Sequence, residues 1–263
     1  TVAYDRDLRL YSATGGEVTF RTNFLDGGSL VNSSITKIGG GTVNLAGSSA
    51  GDSTVESVNV LGGFLTLNNY GINANRRVGS GASLLLGGGG LVVDGSTAAA
   101  AFSEDFGAFT VKAGGSAIAA VGPNTTVTIS GAPARNAGGT VHFQSIAGGT
   151  MNLSGVAASS RIGSYATFGA NFASTPFATD WAATDAGGNI VAFTGYGASD
   201  VDVTTAIAGA SVNSLRFDTT AGEITSGAVA LPANGGILIT SNYTTGTPIA
   251  AGVGVGAASG DLI

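Results

Sequence analysis

Apolar and small polar residues alternate in short runs along this chain, and glycines end most of the runs. The clearest stretch is Ile35-Thr36-Lys37-Ile38-Gly39-Gly40-Gly41-Thr42-Val43-Asn44-Leu45-Ala46-Gly47. A period of two, broken by glycine, predicts short β-strands joined by tight turns. Glycine clusters recur at Gly39-Gly40-Gly41, Gly62-Gly63, Gly87 to Gly90, Gly114-Gly115, Gly138-Gly139 and Gly148-Gly149. Between them lie runs such as Val58-Asn59-Val60, Phe64-Leu65-Thr66-Leu67, Leu91-Val92-Val93, Val127-Thr128-Ile129 and Val141-His142-Phe143. The clusters are mostly about 20 to 27 residues apart, the size of one solenoid coil. No segment has a persuasive helical period; Ala98 to Phe106 comes nearest and reads as a loop. Coils of this kind stack at about 4.8 Å and bury their inward side chains in a continuous ladder.

The pattern divides the chain into four parts. Residues 1–26 are rich in charge (Asp5, Arg6, Asp7, Arg9, Glu17, Arg21, Asp26) and hold two strands around a Gly15-Gly16 turn. They read as a cap or a contact segment, since charged residues guard open sheet edges. Residues 27–160 are solenoid coils. Residues 161–200 form an aromatic-rich excursion with Tyr165, Phe168, Phe172, Phe177, Trp181, Phe193 and Tyr196. Residues 201–263 resume the ladder and end at Gly260-Asp261-Leu262-Ile263 in mid-pattern. That ending suggests truncation or an end that meets another subunit. The start at Thr1, without a signal-peptide pattern, suggests a processed chain or a segment of a longer one.

Two stretches resemble a known family. Ile35 to Gly47, with its lysine, spaced glycines and Thr-Val-x-Leu run, is similar to the autotransporter-associated β-strand repeat of bacterial surface proteins. Gly51-Asp52-Ser53-Thr54-Val55, Val58-Asn59-Val60, Gly62-Gly63 and Phe64 to Leu67 look like the second half of that repeat. Downstream, Arg161 to Thr167, Thr179-Asp180-Trp181-Ala182 and Gly188 to Tyr196 resemble a segment of very large surface proteins built from such repeats. The resemblance implies an extracellular, right-handed β-helix serving as a stalk, passenger or adhesive fibre. It does not carry over self-translocation, because this chain has no membrane-barrel region.

Composition narrows the function. Glycine accounts for 45 of 263 residues and charged residues for only 10%, against roughly 7% and 25% in ordinary domains. With 43% hydrophobic residues a dry core is within reach, so the glycines mark turns rather than linkers. The net charge is −6 and the ten basic residues are scattered, with Arg76-Arg77 the only adjacent pair. From Ala137 to Ile263 only Arg161 and Arg216 are cationic, against seven acids. Nucleic acid is therefore not an expected partner. There is no cysteine, so backbone ladders and side-chain stacking replace disulfides. No apolar run reaches the length of a spanning helix.

Little chemistry is legible. The only histidine, His142, alternates with Val141 and Phe143 and is expected on the outer surface, without a nucleophile beside it in sequence. Gly87 to Gly90 lacks a P-loop lysine and a following helix. Asp94 falls too late for a calcium-binding glycine repeat. Asp200 and Asp202 share a strand face and could form a weak oxygen site, but read as solvated. Arg76-Arg77 with Asp94 and Glu104-Asp105 is the only mixed cluster that a polysaccharide lyase or hydrolase could use. The aromatic excursion beside Asp180 and Asp185 admits two readings: a sugar-binding patch, or a small core that pins a long loop.

The expectation is an all-β, right-handed parallel β-helix with a charged N-terminal segment and an aromatic-rich loop excursion. It is a non-enzymatic structural protein without a cofactor or metal site, placed at the cell surface or outside the cell. It assembles head to tail with copies of itself or with neighbouring repeats of a longer chain. The alternative is an adhesin or glycan-binding module, and a lyase or hydrolase is a further one. Trp181, Tyr196, Tyr165, Arg6 and Arg9 are the candidate interaction residues, with surface glycans as the possible partner.

Overall fold

The computed structural model describes residues 7–21, 33–46, 55–69, 77–98, 100–169, 179–232, 235–244 and 246–257. All regular structure in them is β, and the strands, numbered in chain order, stack as a β-solenoid of about 8 turns. One sheet runs in the order β1 (Asp7–Tyr11), β3 (Ser34–Ile38), β5 (Ser57–Val60), β7 (Ala82–Leu86), β9 (Phe102–Val111), β11 (Thr125–Ile129), β14 (Thr150–Leu153), with β12 (Ala134–Arg135) beside β9. The second contains β2 (Glu17–Phe20), β4 (Thr42–Leu45), β6 (Gly63–Asn68), β8 (Gly89–Asp94), β10 (Gly114–Val121) and β13 (Gly139–Ile146), all parallel. It ends with β15 (Ala166–Phe168), β16 (Asp180–Thr184) and β17 (Ile190–Ala192), of which the last two pair antiparallel. A second stack follows: β18 (Asp200–Asp202), β20 (Ser214–Phe217) and β23 (Gly236–Ile239); β19 (Ala206–Ala208) with β21 (Glu223–Ser226); and β22 (Ala228–Leu231) with β24 (Gly254–Ala257).

Register converts the alternation into columns. Inward residues Val43, Leu65, Leu91, Ile118 and Phe143 stand over one another in the second sheet. Ile35, Val58, Leu84 and Phe109 do so in the first. All are at most 1% exposed, and burial of each side chain is worth about 1.5–3 kcal/mol before entropy is charged. Outward polar residues form their own rungs: Asn59 Nδ2 donates to Thr36 Oγ1 at 3.2 Å, and Asn68 Nδ2 to Asp94 Oδ2 at 3.0 Å. Tight stacking requires a bare corner. At Gly63 φ is +58°, and a β-carbon there would run into the carbonyl oxygens of Gly41 and Gly39 in the preceding coil.

Several expectations change. Residues 7–20 form the first coil of the stack, with Gly15-Gly16 at its corner. Phe102 to Phe106, expected in a loop, begin the long strand β9. The excursion holds the antiparallel strands β16 and β17 as well as loop. The core is divided: Val203, Val212, Leu215, Phe217, Ile224, Val229 and Leu231 form a cluster separate from the first stack's.

Lys37 shares the parity of Ile35 and therefore points inward, where it is fully buried. Its ammonium donates to the carbonyls of Ile38 (2.8 Å), Gly39 (2.7 Å) and Gly62 (3.0 Å). One cation thus ties the corners of two successive coils, and burial pulls its pKa below the ordinary lysine value. Lys37→Met keeps the bulk and removes the three donors. It is expected to cost roughly 2–3 kcal/mol, read from the midpoint of urea unfolding; an unchanged midpoint would remove this role.

Candidate functional site

A cluster of ion pairs and hydrogen bonds lies where the two stacks meet. Strand β16 presents Asp180 and Trp181 in succession, β18 places Asp200 and Asp202 on one face, and β20 supplies Arg216 opposite Asp202. The Arg216 guanidinium is ringed by carboxylates: Asp180 at 3.2 Å, Asp202 at 3.1 Å and Asp218 at 2.9 Å. Its Nε also donates to the Thr179 carbonyl at 3.0 Å, and its plane lies 5.4 Å from the Tyr196 ring centre. Arg161 pairs with Asp200 at 3.1 Å and sits 5.7 Å from the Trp181 ring. Ser214 Oγ donates to Asp200 (2.7 Å), Tyr196 donates to Asp180 (2.7 Å) and Asn242 donates to Asp218 (3.1 Å).

Four carboxylates thus face two guanidinium groups. Burial raises the pKa of Asp180, against the Tyr196 hydrogen bond and the Arg216 charge. Burial and the neighbouring Asp180 push the Tyr196 hydroxyl up, so it stays a donor at all ordinary pH. Arg161 is lowered by burial, with Asp200 opposing. The side chains of Asp200 and Asp202 are only 17% and 27% exposed. Rather than standing solvated, they are held in ion pairs. The forked Arg216 occupies the centre of its three carboxylates, and five planar donors suit that role.

The predicted interaction residues do not share one surface. Trp181 is 1% exposed, and its Cη2 lies 3.1 Å from where a β-carbon on Gly236 would sit. It fills the joint between stacks and is not a contact surface. Tyr196 is half-buried within the ion cluster, beside Phe193 at 5.1 Å. Tyr165, also half-buried, lies 5.4 Å from the Arg135 guanidinium on the first stack. Arg9 is exposed on β1 at the far end, and Arg6 lies outside the described residues. Asp185 is apart from the rings, accepting from Gly187 and Asn189 N–H groups in an exposed turn. The pinning core is therefore the arrangement found for Trp181.

The mixed cluster proposed from sequence separates. Arg76 lies outside the described residues, and Asp94 is engaged with Asn68 and Ser96. Glu104 shares the parity of Phe102 and Phe106, points into the core and is fully buried. It accepts from the backbone N–H groups of Arg77 and Val78. Burial pushes its carboxyl up to about 8, only partly offset by those hydrogen bonds and the Arg77 charge. His142 also differs from expectation. It faces outward from the sheet but is only 9% exposed, with Nδ1 2.9 Å from Thr167 Oγ1. It closes one end of a groove of about 420 Å³, floored by Gly90 and Ala117, with Phe64 at the other end of the same register column. Burial lowers its pKa to about 4.

Sequence reasoning missed Arg216, Lys37 and Glu104 as organising residues. Parity with Ile35 and with Phe102 was the available signal for the two inward charges. For Arg216 it was scarcity: from Ala137 to Ile263 two cations stand against seven acids, and Arg216 serves three of them. Among the described residues, no group of three or more His, Cys, Asp or Glu side chains is arranged to hold a metal ion.

Two expectations follow from these charges. The unfolded Glu104 carboxyl releases its proton near 4.5 and the folded one near 8, so stability falls as pH rises through that interval. Folded His142 titrates near 4 instead of 6.5, so stability also falls as pH drops through that range. The two contributions oppose each other between about 4.5 and 6.5, so melting temperatures are expected to change little there and to fall as pH rises from 6.5 to 8; Glu104→Gln is expected to remove that fall and to expose the loss of stability toward pH 4. A second test concerns the joint. Arg216→Met strands three carboxylates and is expected to cost roughly 3–5 kcal/mol, splitting unfolding into two transitions in calorimetry. A single unshifted transition would show that the joint does not depend on this ion cluster.

No family model, no characterised protein and no solved structure matches this chain.

Proposed function

We propose that this chain is a structural, non-enzymatic protein of the bacterial surface, a length of stalk or self-assembling fibre whose working part is the solenoid itself. The observation that carries the reading is the unbroken parallel ladder from β1 to β14, with an apolar column behind it and polar rungs outside. Each coil is held by the one below and holds the one above, so resistance to unfolding accumulates with length. The resemblance of Ile35 to Leu67 to autotransporter-associated repeats supports the same assignment, with a right-handed coil and an extracellular site. Lys37 gives the lysine of that motif a mechanical role at the corner.

Two alternatives lose their main support. An adhesin anchored on Trp181 would need that ring open to solvent, and it is buried in the joint. A lyase or hydrolase built on Arg77 and Glu104 would need both in a cleft, whereas Glu104 lies inside the core. Glycans and neighbouring repeats remain the partners this reading allows. Among the described residues no helix is long and apolar enough to cross a membrane.

Electron microscopy of the natively purified protein is expected to show rods or fibres one solenoid wide. Compact particles that bind a glycan array, with binding lost in Tyr196→Ala while the fold persists, would replace this reading with the adhesin.

A further inference from the structure

The first and the last of the described coils are built alike. At one end Ala13-Thr14-Gly15-Gly16 turns the corner into β2: Gly16 N–H donates to the Ala13 carbonyl at 2.8 Å, and Gly15 has φ +76°. At the other, Ala250-Ala251-Gly252-Val253 turns the corner into β24: Val253 N–H donates to the Ala250 carbonyl at 3.2 Å, and Gly252 has φ +88°. In both, the strand begins two residues after the positive-φ glycine, at Glu17 and Gly254. The left-handed residue sits third in a four-residue turn, where glycine is required. A β-carbon on either glycine would meet nothing within 4 Å.

Each of these two coils also leaves a rung partly exposed. Val18 is 38% exposed, whereas Val43, Leu65, Leu91 and Ile118 after it in the column are at most 1% exposed. At the far end Val255, in register with the buried Val229, is only half-covered, and Ile239 is 50% exposed. Among the described residues β2 pairs only with β4, and β24 only with β22. Thr42 N–H donates to Gly16 and Ala46 N–H to Phe20, so the backbone groups of Glu17 and Thr19 face away from the stack. Residues 228–257 contain no Asp, Glu, Lys or Arg. The charged first coil would meet no like charge there.

We infer that β24 of one copy pairs in parallel with β2 of the next, with Val255 under Val18 and the two matching corners stacked. The contact continues the interface that already joins β2 to β4 and β22 to β24. It buries the half-covered rungs, satisfies the outward groups of Glu17 and Thr19, and joins unlike ends. Such a contact is heterologous and does not close, so it propagates as a filament. The inference rests on the structural reading above and names its partner, a second copy of this chain, and its surface.

The chain has no cysteine, which makes the register testable by cross-linking. Val18 over Val255 sets Thr19 beside Gly256, about 4.8 Å apart across parallel strands, within the span of a disulfide. Thr19 is exposed, and a β-carbon at Gly256 meets nothing within 4 Å. Thr19→Cys protein mixed with Gly256→Cys protein under mild oxidation is expected to give a one-to-one dimer, in at least tenfold excess over like-with-like products. Thr19→Pro removes one outward backbone N–H together with the exposed Asn44 Nδ2–Thr19 Oγ1 hydrogen bond of 3.2 Å, so Thr19→Val, which loses only the hydroxyl, is its reference. Relative to Thr19→Val it is expected to abolish assembly in sedimentation without moving the unfolding midpoint. Fibres that persist in Thr19→Pro and do not cross-link in the mixture overturn this interface while leaving the structural reading intact. Rods that sediment as single subunits at every concentration overturn self-assembly but not the stalk. Glycan binding by compact particles overturns the structural reading itself.

Discussion

Everything in this molecule depends on one coil resting on the next at the spacing of parallel strands, about 4.8 Å. That distance leaves no room for side chains where corners cross, which is why Gly63 would collide with Gly41 if it carried even a methyl group. It also forces like residues into columns, because register keeps each position above its predecessor. Apolar columns gain burial at every step, while a column of like charges would accumulate repulsion at every step. The low charge and high glycine content are consequences of that geometry. The same spacing stabilises a chain that has no disulfides, since each strand supplies hydrogen bonds to both neighbours.

Charges that do enter the stack are therefore placed where the backbone can answer them. Lys37 lies inside, but at a corner where three carbonyls turn toward it. Glu104 lies inside with two backbone N–H groups aimed at it, and burial still outweighs them, so it keeps its proton into the alkaline range. The difference is instructive. A cation at a glycine corner finds several carbonyls within reach, whereas a carboxyl in the middle of a strand finds few donors and relieves its burial by staying neutral.

Most of the strands were legible because their signals are local. Period-two alternation and glycine punctuation specify β3 to β8 within a few residues of chain, and those strands stand where the pattern puts them. The failures have a shared cause. Phe102-Ser103-Glu104-Asp105-Phe106 alternates as well as any strand, but its acids disguise the inward position of Glu104. His142 was placed correctly on the outer side of its strand, yet side matters less than cover, and cover is a tertiary property. Asp180 and Arg216 meet across 36 residues through an antiparallel strand and a second stack, and no local pattern encodes that approach. Aromatic density marked the region correctly without revealing which ring would be buried.

The joint between the stacks follows from that antiparallel insertion. A parallel ladder passes its register from coil to coil, and β16 and β17 interrupt it by reversing direction. Beyond them a second core begins, and among the described residues no strand of the first sheets continues into it. The backbone no longer couples the two parts there, so side chains must. Trp181 fills the space, and the ion pairs cross it in both directions: Arg161 from the first part to Asp200 of the second, and Arg216 from the second to Asp180 of the first. Crossed pairs resist rotation as well as separation, because turning one part about the axis lengthens both contacts together. A dry apolar joint would bury comparable area but would permit sliding. A joint specified by directional charge pairs resists twist as well as separation, where the backbone ladder of the first sheets no longer couples the two parts.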